Sequence, residues 1–145
     1  MEEDILRESQ VENKLRKYLK NKGWTIRKPE KKKGEHGCDI IAWHNKWRKR
    51  LFIEVKGGGK KEVQMKHNGF YTLLGQIISR MDIEGNGIKK ARIYAIAIPA
   101  EWENTFKNKI VKMKYGWKIL KLKIFLVTSA GSVKERSYAY FLKRK

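Results

Sequence analysis

GCDIIAWHNKWRKRLFIEVKGGG, Gly37 through Gly59, holds two apolar runs separated by a basic turn. Asp39 to Trp43 and Leu51 to Lys56 are rich in Ile, Phe, Val and Trp, side chains that suit a pleated surface. The connection from His44 to Arg50 is too short for a crossover helix, so the two runs read as an antiparallel hairpin with a basic tip. Gly57, Gly58 and Gly59 end the second strand abruptly.

Side chains on a strand alternate between faces, which sets Glu54 and Lys56 on one side, roughly 6.5 Å apart. Val55, with Ile53 and Leu51, faces the other way and belongs to a core. Asp39 opens the neighbouring strand and comes opposite or diagonal to Glu54. Two carboxylates and one ammonium thus meet at one end of the hairpin, just before glycines that admit another backbone closely. Such carboxylates suit Mg²⁺, which binds through one or two of them and keeps its waters for a phosphate substrate. A bound ion acidifies water and neutralises charge on phosphoryl oxygens, while a nearby lysine orients the water and stabilises the transition state. This is the chemistry of phosphodiester hydrolysis. The plainer alternative is a surface salt bridge, since an acid-x-Lys triplet is common.

Outward from the hairpin, Ile5, Val11, Leu15 and Leu19 recur near helical spacing and predict an amphipathic helix from about Glu3 to Lys22, stopped by Asn21 and Gly23. Trp24 to Arg27 is a short strand, and Lys28 to Gly37 has loop chemistry. A helix is expected from Glu62 to Met81, interrupted at Asn68-Gly69, and a central strand from Ala91 to Ile98, closed by Pro99. Trp102, Phe106, Ile110 and Met113 mark another helix; alternating Leu120, Leu122, Ile124 and Leu126 predict a strand, and Ser137 to Leu142 one more. This order predicts one mixed-sheet α/β domain spanning all 145 residues.

The composition is decisive about partners. Lys and Arg number 35 against 15 Asp and Glu, a formal charge of +20. With 41% hydrophobic residues the chain can form a core, unlike a disordered basic tail. Its excess charge then lies on the surface and suits a polyanion, above all nucleic acid. No apolar run approaches the roughly 18 residues of a membrane span, and the acidic start MEEDILRESQ is unlike a secretory signal. One cysteine and three histidines supply neither a disulfide nor a structural zinc cluster, so a reduced, cytoplasmic setting is expected.

Gly37-x-Asp39, an apolar strand, then Phe52-Ile53-Glu54-Val55-Lys56-Gly57 resembles the PD-(D/E)XK nuclease superfamily, whose restriction-endonuclease-like fold has an αβββαβ core. The likeness spans about Glu8 to Pro99 and is strongest from Gly34 to Gly59. It implies that Asp39 and Glu54 bind Mg²⁺, with Mn²⁺ able to substitute, and that Lys56 is the catalytic lysine. Val11-Glu12, with Leu15, Leu19 and Gly23-Trp24, resembles the start of archaeal Holliday-junction resolvases and Mrr-like restriction domains. That implies Glu12 as an accessory metal ligand. Glu8, one turn earlier, is the rival, and a solvated helix face is the plain alternative for both. Gln76 matches a glutamine of RecB-like members, but Arg80 stands where they carry a tyrosine. The proline of the family name is missing, since Cys38 precedes Asp39.

Lys31, Lys32, Lys33, Arg48, Lys49, Arg50, Lys60 and Lys61 surround the carboxylates in sequence and suit backbone phosphates, which carry no base information. His36 is either a phosphate contact or a polar turn residue. Trp43 and Trp47 either stack on unpaired bases or cover the hairpin's apolar face, the latter favoured for Trp43. The Gly57–Lys61 run lacks the spacing of a phosphate-binding loop. The expectation is a small Mg²⁺-dependent DNA endonuclease, structure-specific or restriction-like, acting as a homodimer, with RNA left open as a ligand. A non-catalytic nucleic-acid-binding module is the alternative.

Overall fold

A computed structural model of the chain describes residues 6–27, 39–58, 62–82 and 92–142. Helix α1 (Glu8–Asn21) comes first, begun by Gln10 Oε1 accepting the Arg7 amide at 2.8 Å. Strand β1 (Thr25–Ile26) follows, then the hairpin of β2 (Ile40–His44) and β3 (Lys49–Val55). Helix α2 (Glu62–Asp82) leads to β4 (Arg92–Pro99). Next come α3 (Glu103–Lys112), α4 (Lys114–Leu120), β5 (Lys123–Val127) and β6 (Val133–Arg136).

The six strands lie in chain order across one mixed sheet. β1, β2 and β3 pair antiparallel, β3, β4 and β5 parallel, and β5 with β6 antiparallel. Parallel neighbours need crossovers, and right-handed crossovers advancing in one direction deliver their helices to one face. That is where α2, α3 and α4 lie, over Phe52, Tyr94, Ile96, Ile98, Ile124 and Leu126. Helix α1 covers the opposite face with Val11, Leu15 and Leu19 against Ile53, Val55, Ala95, Ala97 and Phe125. Between two helical layers, β4 is buried from Tyr94 through Pro99, as its continuous apolar run predicts. Fully buried Trp102 and Phe106 anchor the α3 layer, each contributing about 1.5–3 kcal/mol by area removed from water.

Several expected boundaries change. α2 runs unbroken through Asn68-Gly69, because the apolar stripe Phe70, Leu73, Leu74 and Ile77 docks on the sheet and outweighs local turn propensity. Leu120 belongs to the end of α4, not to a strand: Trp117 is buried with its indole N–H donating to the Tyr138 carbonyl at 2.9 Å, and left-handed Lys121 ends the helix. The segment expected as a last strand is a 3-10 turn, Tyr138–Leu142, which sends Phe141 into the core. The edge strand is instead Val133–Arg136, and its charged side chains suit an exposed edge.

Candidate functional site

The hairpin register is the starting point. Ile40 pairs with Ile53, Ile41 with Phe52 and Trp43 with Arg50, so extending the register by one residue sets Asp39 opposite Glu54. The Asp39 carboxylate turns along β3 and accepts the Val55 amide at 2.7 Å, which holds it at the strand's C-terminal end. Glu54 is only 2% exposed. Lys56 is the first residue beyond β3, and its amide donates to the Ala97 carbonyl of β4 at 3.0 Å.

Buried polar side chains are rare in this fold. Among the described residues they are His44 and Glu54. His44 is accounted for by packing: Nδ1 accepts the Trp47 amide, Nε2 faces the Lys22 carbonyl at 3.2 Å, and the ring stacks on Trp47 at 4.0 Å. Those contacts require the proton on Nε2. Glu54 is a carboxylate inside the apolar run Leu51–Val55, where burial opposes folding unless charge or hydrogen bonds compensate.

The segment leading into α1 and the first turns of α1 converge on this end of the hairpin. Gly58 bridges Arg7 in parallel fashion and donates to the Leu6 carbonyl at 2.8 Å. A Cβ at Gly57 would stand 2.2 Å from the Glu8 nitrogen and 2.4 Å from the Arg7 carbonyl carbon. The close backbone approach expected at the glycine run is therefore made by the protein's own N-terminal segment. It brings Glu8 to Lys56, at 3.7 Å between carboxylate and ammonium. Partial burial pushes the Glu8 carboxyl above its ordinary value, Lys56 pulls it down, and the negative charges of Asp39 and Glu12 push it up again.

Glu12 lies one turn further along the same stripe and pairs with Arg16 at 3.0 Å. Arg16 in turn donates to the Asp39 carbonyl at 2.9 Å. Glu12 thus steers an arginine that holds the Asp39 backbone, whereas Glu8 reaches the lysine. Arg16 is a site residue that the sequence reading missed; its signal was the Glu12–Arg16 spacing, four residues on one helix face. Gln76 is half-buried on α2, where its carbonyl accepts the Ser79 hydroxyl at 2.7 Å.

At the hairpin tip, Arg48 adopts a left-handed conformation (φ 52°) in the turn, with Lys49 and Arg50 exposed beside it. Trp47 is 54% exposed and closes over His44 on the α1 side. Trp43 is half-buried on the opposite side of the sheet, where it lines an open groove beside Ile41 and Phe52 with Arg50 over its ring. Lys31, Lys32, Lys33, His36, Cys38, Lys60 and Lys61 lie outside the described residues.

The donor set is all oxygen, as a hard cation requires. Among the described residues no three His, Cys, Asp or Glu side chains gather closely enough to hold a metal by themselves. Mg²⁺ needs only one or two carboxylates beside waters and substrate phosphate, so Asp39 and Glu54 fit it. The Glu8 carboxyl is held above its ordinary value first by partial burial, with the negative charges of Asp39 and Glu12 adding to it against the pull of Lys56.

No family model matches the chain, and no curated protein matches it. Two solved structures share its fold. An XisH family protein from Nostoc punctiforme superposes with a TM-score of 0.60 at 19% identity, covering 88% of this chain and 97% of that one. A FdxN element excision controlling factor protein from Anabaena variabilis gives 0.60 at 18% identity with the same coverage, 88% and 97%. Among the described residues no helix is long and apolar enough to cross a membrane.

Proposed function

We propose that the protein is a divalent-metal-dependent DNA endonuclease of the PD-(D/E)XK type. The observation that carries this reading is the single corner where Asp39, Glu54 and Lys56 meet the N-terminus of α1. Asp39 and Glu54 would hold Mg²⁺ or Mn²⁺, with Glu8 beside them. Such an ion supplies Lewis-acid stabilisation of a phosphate and acidifies water.

The protein's own groups do the rest. The Val55 amide fixes one Asp39 oxygen at the end of β3. Arg16 fixes the backbone of the same residue, so Asp39 is restrained from two directions. Lys56 is aimed by Glu8, and its ammonium is suited to orient an attacking water in line with phosphorus and to offset charge on the pentavalent transition state. Preorganisation of this sort matters because a donor already in place costs no rearrangement at the moment of reaction. Two copies of the chain would address two strands, which suits a homodimer.

A second reading, a nucleic-acid-binding factor without cleavage, is favoured by the description of one structural neighbour as an excision controlling factor. Incubation with supercoiled plasmid and with a synthetic four-way junction, in Mg²⁺, Mn²⁺ or EDTA, separates the two. The nuclease reading expects nicking or junction cutting with either metal and none in EDTA. Salt-sensitive binding with no cutting in any metal would replace it with the binding factor.

A further inference from the structure

The face of the sheet that carries Asp39 and Glu54 continues away from them in a regular series. Successive cross-strand pairs on that face are Asp39 with Glu54, Ile41 with Phe52, and Trp43 with Arg50. Each step is two residues, so the Trp43–Arg50 pair lies about 13 Å from the carboxylates. The α2–α4 layer packs on the β3–β5 side of this face. Over β1 and β2 the face opens into a groove of about 380 Å³, lined by Arg27, Ile41, Trp43, Arg50 and Phe52 among others. That volume is in the range that holds a small organic ligand.

The lining has a definite chemistry. Its floor is aromatic and aliphatic: Trp43 and Ile41 are half-buried, and Phe52 stacks on Tyr94 at 5.2 Å. Its rim is cationic. Arg50 lies over Trp43 and Arg92 over Phe52, each guanidinium 5.9 Å from the ring centre, and Arg27 is exposed alongside. Among the described residues that line the groove none is acidic. A flat apolar floor with guanidinium groups around it complements a nucleobase joined to phosphates, which is how single strands are held: bases stack on aromatic rings while cations track the backbone. Duplex DNA keeps its bases stacked inside and presents no ring face to such a floor.

We infer that this groove binds an unpaired nucleotide of a DNA strand, its base against Trp43 and its phosphates at Arg27 and Arg50. The inference rests on nucleic acid being the partner in the proposed function, but not on cleavage. It gives that site a substrate class, DNA with a base out of the duplex within reach of the carboxylates, as at a junction, flap or gap.

The test is equilibrium binding in EDTA, so that it reads the same whether or not the protein cuts. Probes are a fluorescein-labelled single-stranded oligonucleotide, the matching blunt duplex, and inorganic polyphosphate as a polyanion without bases. The oligonucleotide should bind more tightly than polyphosphate of equal charge. Trp43→Ala should weaken oligonucleotide binding about tenfold or more while leaving duplex and polyphosphate affinity within twofold. Trp43→Phe, which keeps a ring, should retain most of it. Arg27→Ala changes only an exposed side chain and tests the groove even if Trp43→Ala fails to fold; it should lower oligonucleotide affinity severalfold. Wild-type binding to polyphosphate as tight as to the oligonucleotide, or unchanged oligonucleotide affinity in Trp43→Ala or Arg27→Ala, would overturn the inference. Absence of cutting in Mg²⁺ and in Mn²⁺, with the groove effects in EDTA intact, would sink the nuclease reading alone.

Discussion

Gly57 ties the local backbone to the chemistry. Its missing side chain is what lets Arg7 and Glu8 pass against the end of β3, where a Cβ would sit 2.2 Å from a backbone nitrogen. The obstacle is main chain, which cannot swing aside as a side chain can, so Gly57→Ala must push the N-terminal segment off the sheet. The expected cost is about 1–3 kcal/mol of stability, the usual toll of overpacking, measurable by urea denaturation. The same substitution should separate Glu8 from Lys56 and raise the Mg²⁺ concentration needed for half-maximal cleavage. Gly75, around which a Cβ finds open space, serves as the control. Asp39, Glu54 and Lys56 were legible in sequence because strand alternation and a tight hairpin fix their relation before any packing is known. Glu8 was legible only as a rival to Glu12, since choosing between two residues on one stripe of α1 requires knowing which turn meets β3. That is set by the Arg7–Gly58 bridge, a contact between residues 51 positions apart in sequence.

At the scale of elements, the edge strand β6 is held by a polar clasp that sequence patterns did not reveal. Glu135 accepts from the Tyr18 hydroxyl of α1 and pairs with Lys123 of β5 at 2.7 Å. Partial burial alone would raise the Glu135 carboxyl, but the hydrogen bonds from Lys123 and Tyr18 outweigh it and hold it below its ordinary value. A carboxyl depressed by folding adds stability above its unfolded pKa and surrenders it as pH falls through the lower folded value. Thermal unfolding followed from neutral to acid pH should therefore show a loss below the ordinary carboxylate range. Glu135→Gln should lower the melting temperature at neutral pH and flatten that acid limb; an unchanged pH profile would show that the clasp contributes nothing. β6 escaped the sequence reading because Val-Lys-Glu-Arg has almost no apolar content. α4 escaped because it is short and its anchor, Trp117, finds its hydrogen-bond partner only in the distant Tyr138. The hairpin and β4, whose signals are local and strongly periodic, were read correctly; α1 was expected from about Glu3 but begins at Glu8, because Leu6 and Arg7 run extended beside Gly58.

At the scale of the molecule, a +20 chain wraps a sheet whose most anomalous interior residue is a carboxylate. A basic surface gathers DNA without regard to sequence and with steep salt dependence, while one corner opposes that charge with Asp39, Glu54 and Glu8. Crowded carboxylates repel the very phosphates that the surface attracts, unless a cation stands between them. That tension is what the proposed metal-dependent phosphodiesterase would need. It is tested most directly by single-turnover cleavage of a labelled DNA under saturating Mg²⁺, comparing wild type with Asp39→Asn, Glu54→Gln and Lys56→Met. The account predicts that each substitution slows cleavage by about 10²–10³-fold, the cost of removing one preorganised group, with the fold and the DNA affinity retained. Cleavage by all three variants within a few-fold of wild type would contradict it.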